Sequence, residues 1–193
     1  MKRILIINGH PNKESFCNSL AENYFKGAVK LELASAKILN LYDLSFNPIL
    51  QNGYQTRTEL EPDLLASWEL IKEANHIVFV YPNWWGTYPA LLKGFIDRLF
   101  LPGFTFDYQN NSPLPKKLMK GKSASIIVTM DSPGFYYNLF LRKPGHNSMK
   151  KSILKFCGFS PVKSVSFRTI KGSTEENRIK WLKKAEQLGL NQF

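Results

Sequence analysis

Apolar residues recur along this chain in two alternating rhythms. Short unbroken runs are followed by longer stretches in which apolar positions return every three or four residues. The first run, Arg3 to Asn8, centres on Ile4-Leu5-Ile6-Ile7. Runs of this kind, closed by turn formers, read as strands buried on both faces. Gly9 to Glu14 is then a turn, and Ser15 stands where a helix cap belongs. In the helix after it, Phe16, Leu20 and Tyr24 share one side, with Ala21, Phe25 and Ala28 beside them. The same succession recurs four times. Strands are predicted at Ser35–Leu41, His76–Val80, Ser123–Met130 and Val162–Thr169, with helices at Glu61–Ala74, Ala90–Phe100, Asn147–Cys157 and Thr174–Leu188. The face of the Glu61–Ala74 helix is set by Leu64, Leu65, Trp68 and Ile71. Three stretches fit neither rhythm: Tyr42–Thr58, Leu101–Gly121 and Asp131–Gly145. A connection as long as Leu101–Gly121 in a compact domain is usually functional.

Strands alternating with helices predict a parallel sheet covered on both faces, and right-handed crossovers leave few topologies. For five strands the expected arrangement is a flavodoxin-like three-layer sandwich in the order 2-1-3-4-5, one domain over residues 1–193. Its switch point lies between the first and third strands. The turns after Asn8 and after Tyr81 therefore meet at one crevice.

Candidate chemistry concentrates at those turns. Tyr81-Pro82-Asn83-Trp84-Trp85-Gly86-Thr87-Tyr88-Pro89 joins a buried strand to a helix. Two tryptophans and free backbone N–H groups in a rigid loop suit a flat, electron-accepting ring, and a flavin fits that description. The N–H groups would face the ring atoms on which negative charge collects upon reduction. The tryptophans have a plainer reading as core closure. The first turn, Gly9 to Ser19, lacks the glycine pattern of a dinucleotide fingerprint. Ser15, Asn18 and Ser19 can reach phosphate oxygens at the positive helix end, or serve as ordinary capping and surface residues. His10 is either a phosphate partner or a hydrogen-bonded structural group. The stretch Thr129-Met130-Asp131-Ser132-Pro133-Gly134 lies on the same sheet edge, and small polar residues there permit close backbone approach. Tyr136 or Tyr137 beyond it either donates a hydrogen bond to a ligand carbonyl or packs. His146 reads as a cap or a surface residue, and Cys157 as a small buried hydrophobe. Gly121-Lys122-Ser123 imitates the end of a phosphate-binding P-loop, but Lys116 stands where a glycine is needed and a strand follows. No metal cluster or catalytic triad is expected.

Composition narrows the setting. Two cysteines, Cys17 and Cys157, make no disulfide framework, and no apolar run is long enough to span a bilayer. A cytoplasmic location is the simplest expectation. The formal net charge is +11, unevenly spread: residues 1–115 hold 10 Lys/Arg against 11 Asp/Glu, and residues 116–193 hold 16 against 4. A basic half can be a solvated surface, or can attract dinucleotide phosphates, nucleic acid or an acidic membrane partner. It has no continuous basic arm with interleaved aromatics, so no specific nucleic-acid partner is expected.

At these loops the chain resembles the flavodoxin-like NAD(P)H:quinone oxidoreductases. These include FAD-containing quinone reductases and FMN-containing bacterial relatives that accompany potassium efflux systems. The resemblance rests on Gly9-His10-Pro11, Ser15-Phe16, Asn47-Pro48, Trp84-Trp85-Gly86, Pro89-Ala90-Leu91-Leu92-Lys93-Gly94-Phe95, Asp97-Arg98-Leu99-Phe100 and Phe156-Cys157-Gly158-Phe159. It implies a bound FAD, with FMN as the alternative, NADPH or NADH as donor, and hydride passed in ping-pong fashion to a quinone or similar acceptor. It places the phosphate loop on His10, Ser15, Phe16, Cys17 and Ser19, with Asn18 adjacent, and the ring loop on Pro82, Asn83, Trp84, Trp85 and Gly86. The third flavin loop falls on Thr129, Met130, Asp131 and Ser132, where family members commonly carry a Thr-Thr-Gly-Gly type sequence, with Tyr137 a few residues later as a further cofactor-binding residue. It further implies Tyr137 and His146 as candidate catalytic residues, and a homodimer whose sites are completed by the other subunit. The alternative is a regulatory subunit of the same fold that docks on an acidic or membrane transport partner.

Overall fold

The structure is a computed structural model that describes residues 2–32, 34–110 and 112–192. Five parallel strands form the central sheet: β1 (Lys2–Asn8), β2 (Ala34–Asn40), β3 (His76–Pro82), β6 (Ser123–Met130) and β7 (Val162–Arg168). Their spatial order is β2-β1-β3-β6-β7, the predicted arrangement. Helices α1 (Phe16–Ala28), α2 (Pro62–Glu73), α3 (Ala90–Leu99), α4 (Pro144–Asn147) and α5 (Glu175–Leu190) connect and cover it.

The strand period divides the core in two. Ile4 and Ile6 of β1, Val78 and Val80 of β3, and Ile127 of β6 point toward α1 and α5, where they meet Leu20, Ala21 and Tyr24. Leu5 and Ile7, Ile77 and Phe79, and Ile126 and Val128 point the other way, onto Leu64, Ile71, Leu92, Phe95 and Leu99. A strand buried on both faces needs apolar residues at every position, which is why the central runs do not alternate.

Several local expectations are corrected. Leu101–Gly121 is not a structureless connection: it folds back as an antiparallel hairpin of β4 (Phe106–Gln109) and β5 (Ser112–Lys117). Phe106 packs edge-on against Phe156, which ties this hairpin to the layer below. The helix expected over Asn147–Cys157 begins earlier, at Pro144, and runs with wider π-type hydrogen bonding over Ser148–Lys155. Tyr136–Phe140, inside a stretch read as irregular, is a further π-type turn. On α2, Leu65 faces solvent while Ser67 is buried, its hydroxyl donating to the Asp63 carbonyl at 2.6 Å. Thr169 adopts φ +59° and so ends β7 one residue before the predicted boundary.

Candidate functional site

The loops after β1, β3 and β6 leave one edge of the sheet and are stitched to each other. The Gly9 N–H donates to the Val80 carbonyl at 2.8 Å, and the Asn83 N–H to the Thr129 carbonyl at 2.7 Å. Between them lies a cleft of about 310 Å³. The first loop gives it His10, Asn12, Ser15, Phe16 and Cys17, the second Pro82, Asn83 and Trp84, and the third Thr129, Met130 and Asp131. His10 and Trp84 meet edge to face, their ring centroids 5.5 Å apart, so turns more than seventy residues apart in sequence share one wall.

The phosphate-loop candidates are held by short-range bonds. Buried Asn8 accepts the His10 N–H at 3.2 Å and donates to Asn18 at 3.0 Å and Asn40 at 3.3 Å. The Asn12 N–H donates to His10 Nδ1 at 2.9 Å, which leaves the proton of a neutral ring on Nε2. Burial lowers the His10 pKa and favours that neutral form. Ser15 caps α1, its hydroxyl accepting the Asn18 N–H at 3.2 Å, and the first turn carries no acidic side chain. Cys17 Sγ lies 3.2 Å from Thr129 Oγ1, and burial pushes its thiol up to about 12. It is therefore a neutral clamp between two loops rather than a nucleophile.

A family model described as a flavodoxin-like fold matches residues 2–188. The chain belongs to this flavodoxin-like family. Among its relatives is an uncharacterized NAD(P)H oxidoreductase of Haemophilus influenzae, 29% identical over 171 residues, which span 86% of this chain and 83% of the relative. The ribosyldihydronicotinamide dehydrogenase (quinone) of Pongo abelii is 26% identical over 206 residues, 92% of this chain and 86% of its own. The crystal structure of Smu.1420 from Streptococcus mutans superposes with a TM-score of 0.86 at 34% identity, covering 98% of this chain and 99% of that one.

In this flavodoxin-like protein the two tryptophans do not close the core. Trp84 is 44% exposed on the cleft wall, and Trp85, at φ +51°, points fully into solvent. Trp85, Gly86, Ser19 and Ser132 neighbour the cleft without lining it. Asn18 also stays off it. Its amide accepts from Asn8 and from the Tyr42 hydroxyl at 3.1 Å and donates to Glu22 at 2.9 Å, so those groups are already engaged.

Tyr137 and His146 are brought together, but next to the ring loop. Tyr137 is fully buried, and its Oη lies 2.9 Å from His146 Nδ1. The His146 N–H approaches the same oxygen at 3.4 Å, and Nε2 lies 2.9 Å from Ser166 Oγ. The His146 ring thus bridges the Tyr137 and Ser166 hydroxyls, the direction of each bond being set by its tautomer. Burial first, then Arg168, Lys143 and Lys150, lowers His146 to about 4. Burial raises Tyr137. His146 is thus neither a cap nor plain surface. A π-type turn and α4 shape the intervening nine residues, which spacing alone does not reveal.

Asn12, Ile170 and Lys171 of the cleft wall were not singled out by the sequence. The latter two sit in the β7–α5 connection, drawn in because Asp131 accepts the Lys171 N–H at 2.7 Å. Their position beyond the fifth strand, on the same sheet edge, was the available signal.

Proposed function

We propose that this chain is a flavin-dependent oxidoreductase that passes hydride from NAD(P)H to a quinone or similar two-electron acceptor. The observation that carries the reading is the His10–Trp84 contact, which makes one open cleft of three loops at the switch point of the sheet. Donor set and shape fit the cofactor. The first N–H groups of α1, at Phe16 and Cys17, are intrahelical orphans, and with the Ser15 hydroxyl and His10 Nε2–H they suit a phosphate. The indole of Trp84 gives an aromatic face beside the Asn83–Gly86 backbone. Thr129, Met130 and Asp131 line the same cleft. A bound flavin supplies the two-electron chemistry; the residues supply binding, orientation and charge. Next to the ring loop, the buried Tyr137 hydroxyl is held 2.9 Å from Nδ1 of neutral His146. One cleft serving donor and acceptor in turn implies ping-pong kinetics. We further read the exposed side chains of Phe135, Tyr136, Leu139, Phe140 and Leu141 as the face on which a second copy completes the site.

The test is direct. Purified protein should carry flavin absorbance that NADPH bleaches and a quinone restores, and mass spectrometry of the released cofactor should identify FAD or FMN. Double-reciprocal plots should be parallel. Colourless protein that takes up neither flavin would overturn the reading.

A further inference from the structure

A second cavity, of about 490 Å³, opens beside β7, and the proposed phosphate and ring contacts make no use of it. Lys143, Lys150, Lys151 and Arg168 line it together with the hydroxyls of Ser164 and Ser166. No carboxylate shares the lining, and among the described residues none of the four cations forms an ion pair. The sequence explains why. No Asp or Glu stands between Asp131 and Glu175, a stretch with eight Lys/Arg. Four unpaired cations around a concave space repel one another, and a ligand of high negative charge relieves that repulsion. Lys143 is also held in the left-handed region at φ +55°, directly after Arg142 at φ +56°. Backbone strain of this kind persists where the surroundings impose it.

The cavity reaches the ring loop through one wall. His146 lines it and bonds to Tyr137, while Gly145 packs so closely on the ring loop that a Cβ there would lie 2.6 Å from the Gly86 carbonyl oxygen. We propose that this cavity binds the 2′-phosphoadenosine end of NADPH. The inference rests on the oxidoreductase reading for its choice of nucleotide. A 2′-phosphate is a compact dianion near neutral pH, which Arg168 and the lysines can engage by charge-assisted hydrogen bonds. NADH lacks that group, so the lysines set donor preference and leave the redox step alone.

Calorimetric titration with 2′,5′-ADP tests this on the intact protein, with 5′-ADP and inorganic pyrophosphate as controls. Wild-type protein should bind 2′,5′-ADP at least tenfold more tightly than either control. The K150Q/K151Q variant, with Lys151 exposed and Lys150 half-buried, should lose at least tenfold of that affinity while its melting temperature stays unchanged. In turnover it should raise KM for NADPH and leave KM for NADH as it was. Equal binding of 5′-ADP and 2′,5′-ADP would overturn the proposal, as would a variant that binds like the wild type. Pyrophosphate binding as tight as that of 2′,5′-ADP would overturn it too, by marking a site for free phosphates. The nucleotide titration needs no flavin. Lysine-dependent binding by a protein that takes up no flavin would sustain this site while refuting the oxidoreductase reading, and flavin reduction without that binding would do the reverse.

Discussion

Two buried or half-buried side chains illustrate how single residues set local behaviour. Arg98 is 1% exposed and binds Glu61 with two nitrogens, at 3.0 and 2.8 Å, and the carbonyls of Asn47 and Glu59. It fastens the loop between β2 and α2 to α3. Arg98→Ala should cost about 3 kcal/mol in urea unfolding, because it strands those acceptors. Hydrogen bonding from Arg98 lowers Glu61 from 4.5 to about 2. The folded state therefore holds fewer protons than the unfolded one, and stability is lost as pH falls from about 4.5 towards 2. Glu61→Gln should remove that part of the acid sensitivity. His146 acts in a higher window. Its folded pKa of about 4 lies below the ordinary 6.5, so the unfolded state takes up the proton first and stability falls as pH drops through that interval. His146→Gln should flatten the stability profile there, as thermal melts between those pH values would show. At the cleft, Trp84→Ala removes an aromatic face, and flavin affinity measured by fluorescence should fall about tenfold.

At the scale of elements, the central strands and the caps were plain from pattern, whereas close approaches between helices were not. Ile4 to Ile7 declare a buried strand because every position is apolar, and Ser15 declares a helix start because its hydroxyl precedes a periodic run. Nothing of that kind marks Gly27 and Gly189. In the structure α1 and α5 cross at these two residues, where a Cβ on Gly27 would strike the Glu186 carbonyl and one on Gly189 the Tyr24 carbonyl. Backbone blocks backbone there, so no rotamer change relieves the clash. Gly27→Ala should destabilise by about 1–3 kcal/mol despite its better helix propensity, as denaturant midpoints would register. The β4–β5 hairpin was hidden for a different reason: its strands are short and exposed, with Pro113 and Pro115 inside the second. Pro residues demote a segment as strand on local grounds, yet a two-stranded edge tolerates them. The cleft was legible as three loops because switch-point topology fixes which turns converge. Ile170 and Lys171 escaped notice because a hydrogen bond from the Lys171 N–H to Asp131, rather than any motif, draws their loop in.

For the molecule as a whole, the distribution of apolar surface raises the question of what covers it. Leu139 is 74% exposed and Phe140 69%, with Phe135, Tyr136 and Leu141 in the same segment. The neighbouring Trp85–Gly86 loop abuts this region through Pro144, which a Cβ on Gly86 would meet at 3.2 Å. Contiguous apolar surface of this kind is costly in water and marks an interaction site. In the proposed homodimer a second copy of the chain would cover it. Each protomer's aromatic segment would then wall the other's cleft and exclude water from it. A stable pair needs about 1,200 Å² or more of buried surface, so this segment must form only the centre of a larger contact. Light scattering on micromolar protein should give twice the chain mass. Leu139→Glu with Phe140→Glu should shift it to a single chain, since two buried carboxylates at an apolar contact go unpaired. That variant should keep its flavin, because the phosphate and ring loops are untouched, but lose most of its affinity for the acceptor. Wild-type protein that stays a single chain at every concentration would rule out the pairing and leave the aromatic segment as a surface for another partner.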